Sequence, residues 1–523
     1  DALTTGTQNV AIGVNALGSE DTASYNVAIG REALKTQNGG EYNVAVGRTA
    51  GMLITTGERN TIMGGLAGDA LTDADRNTAI GFAALSTDTL GSKSTAVGSG
   101  ALFTQNFATA TDAYNTAVGF EAGLSITTGF INTIVGGQAG DALTDGSANV
   151  AIGTKALSAD TRGSRSIAIG RDALQTQNFS STQTNTFNIA IGDKAGESVT
   201  TGVFNTLVGG LAGDALTDAD HNVAIGEDAL GSDTLGSTSV AIGRTALFTQ
   251  NFTTATNTNN VAVGYQAGKS VTTGVSHTLI GTDAGDAITT AQRNVAVGYA
   301  ALTSNQTGTG NVAVGVGANN DTTGGLNTAI GDLAGYQVTS GENNIALGRD
   351  AQRSGSPGGP QTTGSNAIGL GDENITSFHC QVALTVVSDE RDKTDFVNLD
   401  LGLDFVKALE PVTYYWDKRA KYLNKNNEDG TPNTDYDLDS VTPNGTHKED
   451  WMDVGFKAQA VQALQDSSGY TSAANKNLLV SISDDGKQLG LKYEKFVPIL
   501  VKAIQDQNAI IESLTARITA LES

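Results

Sequence analysis

A five-residue pattern, Asn-(Val/Thr)-Ala-(Ile/Val)-Gly, recurs through the first 371 residues of the chain. It starts at Asn9, Asn26, Asn43, Asn60 and Asn77, runs on through Ser94, Asn115, Asn132, Asn149 and Ser166, and ends in a degenerate copy at Asn366. There are 21 copies, mostly 17 residues apart. Seven positions after each start stands an alanine (Ala16, Ala33, Ala50 and onward to Ala351), usually followed by Leu or Gly and then a polar turn. Within the motif the alternation is that of a strand: Val10 and Ile12 share one face, and Asn9, Ala11 and Gly13 share the other. The near-constant Ile or Val at the fourth position predicts that this face is the core. The small residues opposite predict a second close contact, across the rung or with another chain. Seventeen residues are too few for a helical pair. They fit two short strands and two turns, one rung of a β-solenoid. Stacked at ~4.8 Å, such rungs would make a rod of roughly 100 Å.

A slower period lies over the first. Asn60, Asn132, Asn205 and His277 are 72, 73 and 72 residues apart, so each block of four rungs carries 4 or 5 extra residues. The extras fall at one phase, around Phe103–Tyr114, Gln175–Phe187 and Phe248–Asn259, where they predict loops on one face. The alanine slot becomes Ile62, Ile134, Leu207 or Leu279 once per block. Those four rungs are expected to meet a different neighbour.

Beyond residue 387 the pattern changes. Cys380, Val382, Leu384 and Val386 alternate as a strand within a junction, 372–387. Leu399 to Leu409 has helical spacing that Glu410-Pro411 stops, and Pro411–Trp416 reads as a strand. The stretch 424–450 is polar and irregular, and Val454–Val461 opens another helix. A final helix, 493–523, carries Val497, Ile504, Ile511 and Ile518 on one heptad seam and Leu500, Gln507, Leu514 and Leu521 on the other. Such a coiled-coil seam predicts self-association, although the residue order alone favours two strands over three.

Composition sharpens the division. The 523 residues hold 65 Gly, 1 Cys and only 16% charged side chains, with a net charge of -24. Of the glycines 58 precede residue 388, whereas 388–523 holds 15 Lys/Arg and 23 Asp/Glu, nearly half the charge in a quarter of the length. The acidic balance argues against nucleic acid or an anionic membrane surface as partner. A single Cys380 excludes a disulfide framework and a Cys-based zinc site. No apolar run approaches the ~20 residues of a membrane-spanning helix. Asp1-Ala2-Leu3-Thr4 does not read as a signal peptide, and the start without Met reads as a fragment.

The repeats resemble the heads of trimeric autotransporter adhesins and related bacteriophage tail fibres. That likeness implies a trimeric, left-handed β-roll over 1–371. Residues 388–523 resemble the intramolecular chaperone domain of phage tailspikes and fibres, the endosialidase type classed as a self-cleaving serine peptidase. The matching residues are Ser388-Asp-Glu-Arg-Asp-Lys393, Leu401-Gly-Leu-Asp-Phe405, Leu409-Glu-Pro411, Trp416, Gly455-Phe456, Ala458-Gln459 and Pro498–Ile504. The expected fold class is therefore mainly β, a trimeric solenoid shaft followed by a smaller α+β chaperone domain that ends in a coiled-coil helix. The likeness further implies Ser388 as nucleophile, Lys393 as its base and Val387–Ser388 as the scissile bond.

A serine hydroxyl attacks an amide only when a base takes its proton, and a lysine serves when burial disfavours its ammonium. Attack on the peptide bond just before the serine is intramolecular, which supplies proximity without substrate binding. Asp389, Glu390 and Asp392 oppose this unless they point away from Lys393. At most this is a single-turnover autopeptidase, and it calls for no cofactor.

Other signals weigh less. Gly64–Asp69 and its copies mimic phosphate-cradling loops but lack the following Lys-Ser/Thr, so they read as rung turns. Asp69, Asp73 and Asp75, with Asp214, Asp218 and Asp220, could offer oxygens to calcium, yet solvated turns suffice and no metal is assigned. The four histidines show no ligand spacing. Phe107, Tyr114, Phe179, Phe187 and Phe252 in the inserted loops are the candidate receptor surface, with plugging of the rung as the competing role. The resulting expectation is the distal part of a phage tail fibre. It is a homotrimer in the virion, made in the host cytoplasm, and it meets other tail proteins and a host-surface glycan or outer-membrane component. A bacterial trimeric adhesin and a tailspike glycan hydrolase are the alternatives.

Overall fold

The computed structural model describes the chain except for residues 1–4, 20, 21, 383, 426, 428–432, 434, 435 and 472–477. The expectation about Asp1–Thr4 therefore lies outside the described residues. The chain divides into two compact units, 1–309 and 310–523.

The first unit is a β-solenoid. Each motif forms a three-residue strand, from Val10–Ile12 to Val295–Val297. Successive strands pair in parallel and in register, so that Val10, Ala11 and Ile12 lie against Val27, Ala28 and Ile29. The flanking turns repeat the same rung-to-rung bonds, with Leu17 N donating to Ala33 O at 3.0 Å and Glu32 N to Val14 O at 2.8 Å. Most rungs hold one strand rather than the two expected. A second, two-residue strand forms only beside the inserted loops, as where Gly91–Ser92 pairs with Thr111–Asp112.

The core lies on the face opposite to the one the motif suggested. The central alanines Ala28, Ala45, Ala79 and their equivalents are fully buried, whereas the second and fourth positions stand half-buried or exposed on the outside. A 17-residue rung encloses little volume. The alanine methyls together with Leu17, Leu34 or Leu85 from the turn already fill it, which leaves no room inside for the larger Val and Ile.

The leucine in that turn adopts a left-handed conformation (Leu17 φ 48°, Leu34 φ 48°), which costs a β-carbon-bearing residue about 1 kcal/mol. In two rungs of each block glycine takes the same slot, as at Gly51 and Gly68, and the strain is relieved at the expense of side-chain volume. Ile62 restores that volume, its Cδ1 reaching over both glycines. Ile134, Leu207 and Leu279 do the same over their own glycine pairs. The expected different neighbour is thus a glycine of its own rung and a glycine of the rung before. The motif glycine has another cause. Gly13 has φ 133°, and a Cβ there would sit 2.5 Å from Gly30 O in the next rung.

A buried polar ladder ties the rungs. Asn26 Oδ1 accepts from Asn43 N at 2.9 Å, and Asn26 Nδ2 donates to Gly40 O at 3.0 Å. The pattern recurs rung by rung and satisfies backbone groups that burial would otherwise leave unpaired.

The second unit opens with four further strands, Val312–Val314, Thr328–Ile330, Ile345–Leu347 and Ile368–Leu370, again parallel and in register. No strand forms among the described residues of 376–387. Val382, Leu384 and Val386 are exposed, and no strand among the described residues pairs with this segment. Then come helix α1 (Leu403–Ala408), an antiparallel pair Val412–Asp417 with Lys448–Gly455, helix α2 (Ala458–Ser467), a short pair Val480–Ile482 with Leu489–Leu491, and helix α3 (Phe496–Glu522). The core of this part joins Leu401, Phe405, Val461, Leu479, Val480, Phe496 and Ile499. Helix α3 contributes only its first turns, through Phe496, Ile499 and Ala503. Asp506 accepts from Leu403 N at 3.2 Å and so caps α1, whose own N-cap residue is glycine. Beyond Ala503 the helix leaves Ile504, Ile511, Leu514, Ile518 and Leu521 exposed.

Candidate functional site

The segment that follows the exposed junction folds into one tight turn. Asp389 caps the 3-10 turn Glu390–Asp392, its carboxylate accepting from Arg391 N at 2.9 Å. The Arg391 guanidinium then grips the same carboxylate, at 3.1 Å through Nε and 2.6 Å through Nη2. That pairing holds the Asp389 carboxyl below the usual carboxylate range. The turn closes with Lys393 N donating to Glu390 O at 3.1 Å. The lysine side chain is carried back over the serine, with Nζ 2.5 Å from Ser388 Oγ and 3.1 Å from Ser388 O.

Five residues of separation thus become hydrogen-bond contact. Arg391, whose role the sequence reasoning missed, turns Asp389 away. Among the described residues Lys393 forms no ion pair. The signal was present in the i, i+2 spacing of acid and base. Val387, Ser388 and Lys393 are all exposed. A lysine serves as a base where burial disfavours its charged form, and the turn is not buried here.

The candidate receptor residues separate into two groups. Phe107 and Phe252 are buried, which corrects their placement on a receptor surface, whereas Phe179 is half-buried. The backbone N–H of each of these residues meets a buried carboxylate. Asp88 accepts from Gly91 N at 3.0 Å, from Phe107 N at 3.3 Å and from Gln105 Nε2 at 2.5 Å. Gln105 also donates to Ser94 Oγ at 3.0 Å and accepts from Asn115 Nδ2 at 2.8 Å. The set recurs at Asp160 and Gln177 and at Asp233 and Gln250. It stands where the motif asparagine is replaced by serine, so Gln105 bridges the gap in the ladder. Desolvation raises the Asp88 and Asp160 carboxyls. The Thr-Gln-Asn-Phe sequence, paired with Asp-x-x-Gly one rung earlier, was the legible sign of this arrangement.

Tyr114 and Phe187 are exposed. Both stand immediately before a motif asparagine, in a column of left-handed residues. In that column Arg165 lies 5.4 Å from the Phe187 ring, Phe187 stacks on Phe204 at 5.5 Å, and Phe204 stacks on His221 at 5.0 Å. Tyr25 and Tyr42 stack likewise at 4.8 Å. Lys93 Nζ lies 5.1 Å from the Tyr114 ring centroid, so ring faces in the column meet a neighbouring ring or cation.

The acidic turns are engaged by neighbouring rungs: Asp69 accepts from Ser86 Oγ at 2.7 Å and Asp218 from Thr201 Oγ1 at 2.7 Å. No group of three or more His, Cys, Asp or Glu side chains converges among the described residues. No helix among them is long and apolar enough to cross a membrane.

Residues 388–470 match the peptidase S74 family described as chaperone of endosialidase. A search of curated proteins finds no match to the chain. The chain therefore joins a β-solenoid to a C-terminal region similar to that chaperone, and the matched stretch begins at Ser388.

Proposed function

We propose that the chain is the distal shaft of a bacteriophage tail fibre, a homotrimer whose C-terminal part directs assembly and then severs itself at Val387–Ser388. The observation that carries this reading is the 2.5 Å contact of Lys393 Nζ with Ser388 Oγ at the first residue of the chaperone-like region. Near-identical rungs pair out of register at little cost, and unpaired edges aggregate. A cap that gathers three chain ends gives every rung a common start. The apolar seam of α3 and the outward Val and Ile columns are the surfaces it would bring together.

In the cut, Lys393 as free amine takes the Ser388 hydroxyl proton while Oγ attacks the Val387 carbonyl carbon. The C–N bond to Ser388 breaks, the nitrogen takes the proton, and Val387 is left as an ester on Oγ. Water then hydrolyses that ester to a Val387 carboxylate and a free Ser388 hydroxyl. Proximity supplies much of the rate. Because the amine must be neutral, the step waits for burial of the turn, so cutting follows assembly rather than preceding it.

Expression followed by a denaturing gel tests the reading. The wild type should split near residue 387 and Ser388→Ala should give one full-length band. If both stay whole, the peptidase assignment fails and the assembly role is left to be judged by stoichiometry. Host-receptor binding is assigned to the exposed column residues Tyr114 and Phe187, with a surface glycan or outer-membrane component as the partner.

A further inference from the structure

The second unit holds a charge network that spans the proposed cut. On the N-terminal side of the cut, Asp350 and Arg353 are buried at 2% and 3% side-chain exposure and pair at 2.6 Å. Glu373 follows the last rung. On the C-terminal side, Lys425 Nζ lies 2.5 Å from Glu373 Oε2 and 3.7 Å from Asp350 Oδ2, with both Lys425 and Glu373 only 11% exposed. The two sides also exchange backbone bonds. Arg353 Nη2 donates to Lys425 O at 2.9 Å, and Lys418 Nζ donates to Glu373 O at 2.5 Å. Asp484 accepts from Gly364 N at 2.9 Å. Both acids of the N-terminal side, Asp350 and Glu373, thus meet Lys425 of the C-terminal side.

None of these groups belongs to the stretch 376–387, whose described residues are exposed and which ends at the scissile bond. Breaking the chain there removes a tether and leaves the network whole. Buried ion pairs are screened little by salt, and removing one partner strands the other in a desolvated site.

We infer that the fragment beginning at Ser388 stays docked on the last rungs after the peptide bond is cut, held by the Asp350–Arg353–Lys425–Glu373 network. Scission and release are then two separate events. This rests on the reading of Val387–Ser388 as a cleavage point, and the test is arranged so that either can fail alone.

A site-specific protease sequence is placed between Phe378 and Val386 in the full chain carrying Ser388→Ala, so that an added protease makes the cut. Complete cleavage is read on a denaturing gel, and retention by size-exclusion chromatography of the same sample. Both fragments should elute together, at 0.5 M NaCl as well as at 0.1 M. Lys425→Met should speed loss of the C-terminal fragment roughly 100-fold or more. Lys425→Arg should keep most of the retention, and adding Glu373→Gln to Lys425→Met should recover part of it, which separates loss of the pair from misfolding. Separate elution of the unmodified fragments straight after cutting would overturn the inference, as would a Lys425→Met fragment that stays bound like its parent. Whether the natural Ser388 chain cuts itself is a different result and does not enter.

Discussion

His277 occupies a slot of the buried ladder that asparagine fills in the adjoining rungs, and its titration gives the ladder a measurable signature. Its ring Nε2 lies 2.9 Å from Ala291 O, and Nδ1 lies 3.3 Å from Asn294 N. The first contact needs a donor and the second an acceptor, so the ring sits neutral with its proton on Nε2. Burial lowers its pKa from 6.5 to about 4. Between those values the unfolded chain binds a proton that the folded chain does not, so stability rises with pH through this window. The contribution is intact above pH 6.5 and is lost as pH falls, by about 2 kcal/mol at pH 5 and about 3 kcal/mol below pH 4. Asparagine bonds the same two backbone partners without titrating. The assay is thermal or denaturant unfolding of the wild type and of His277→Asn at pH 7 and pH 5. Differencing the two proteins cancels the buried aspartates, whose raised pKa acts in the opposite sense. The wild type should lose about 2 kcal/mol more than the variant between the two pH values. An equal loss in both would refute the neutral, bifunctional role given to the ring.

Two further substitutions probe the rungs. Gly136→Ala should destabilise by about 2 kcal/mol or more, because φ is 140° and the new methyl would sit 2.5 Å from Gly153 O; a melting curve reads it, and an unshifted midpoint would contradict the close approach. Gln105→Ala should cost about 3 kcal/mol by leaving Asp88 and Asn115 without their shared partner, with hydrogen exchange quickening at Phe107 and Ser94 and unchanged at Asn205.

The solenoid was legible because periodicity survives any error about single residues. Seventeen-residue spacing with a constant glycine admits few other architectures. Which face is core was not legible, because the motif's most apolar residues are its outward ones. Hydrophobicity ranks Ile12 above Ala11, while the volume inside a short rung favours Ala11 and Leu17. The exchange of Leu for Gly with Ile62 as compensation becomes readable only once left-handed backbone is known at that turn. Ser388 and Lys393 were named from a likeness, since a five-residue spacing alone says little, and the turn that joins them depends on Asp389 and Arg391, a pair that sequence alone leaves as one more surface charge couple. The aromatic loop residues were misplaced in part because Phe107 and Tyr114 look alike in composition. Only their positions relative to the Asp88 cluster separate plug from surface.

The trimer requires the outward aliphatic columns and the bare α3 seam to be covered by two further copies of the chain. Native mass spectrometry of the full-length Ser388→Ala protein measures this directly. Three chains per particle is the predicted result, and a monomer at micromolar concentration would contradict it.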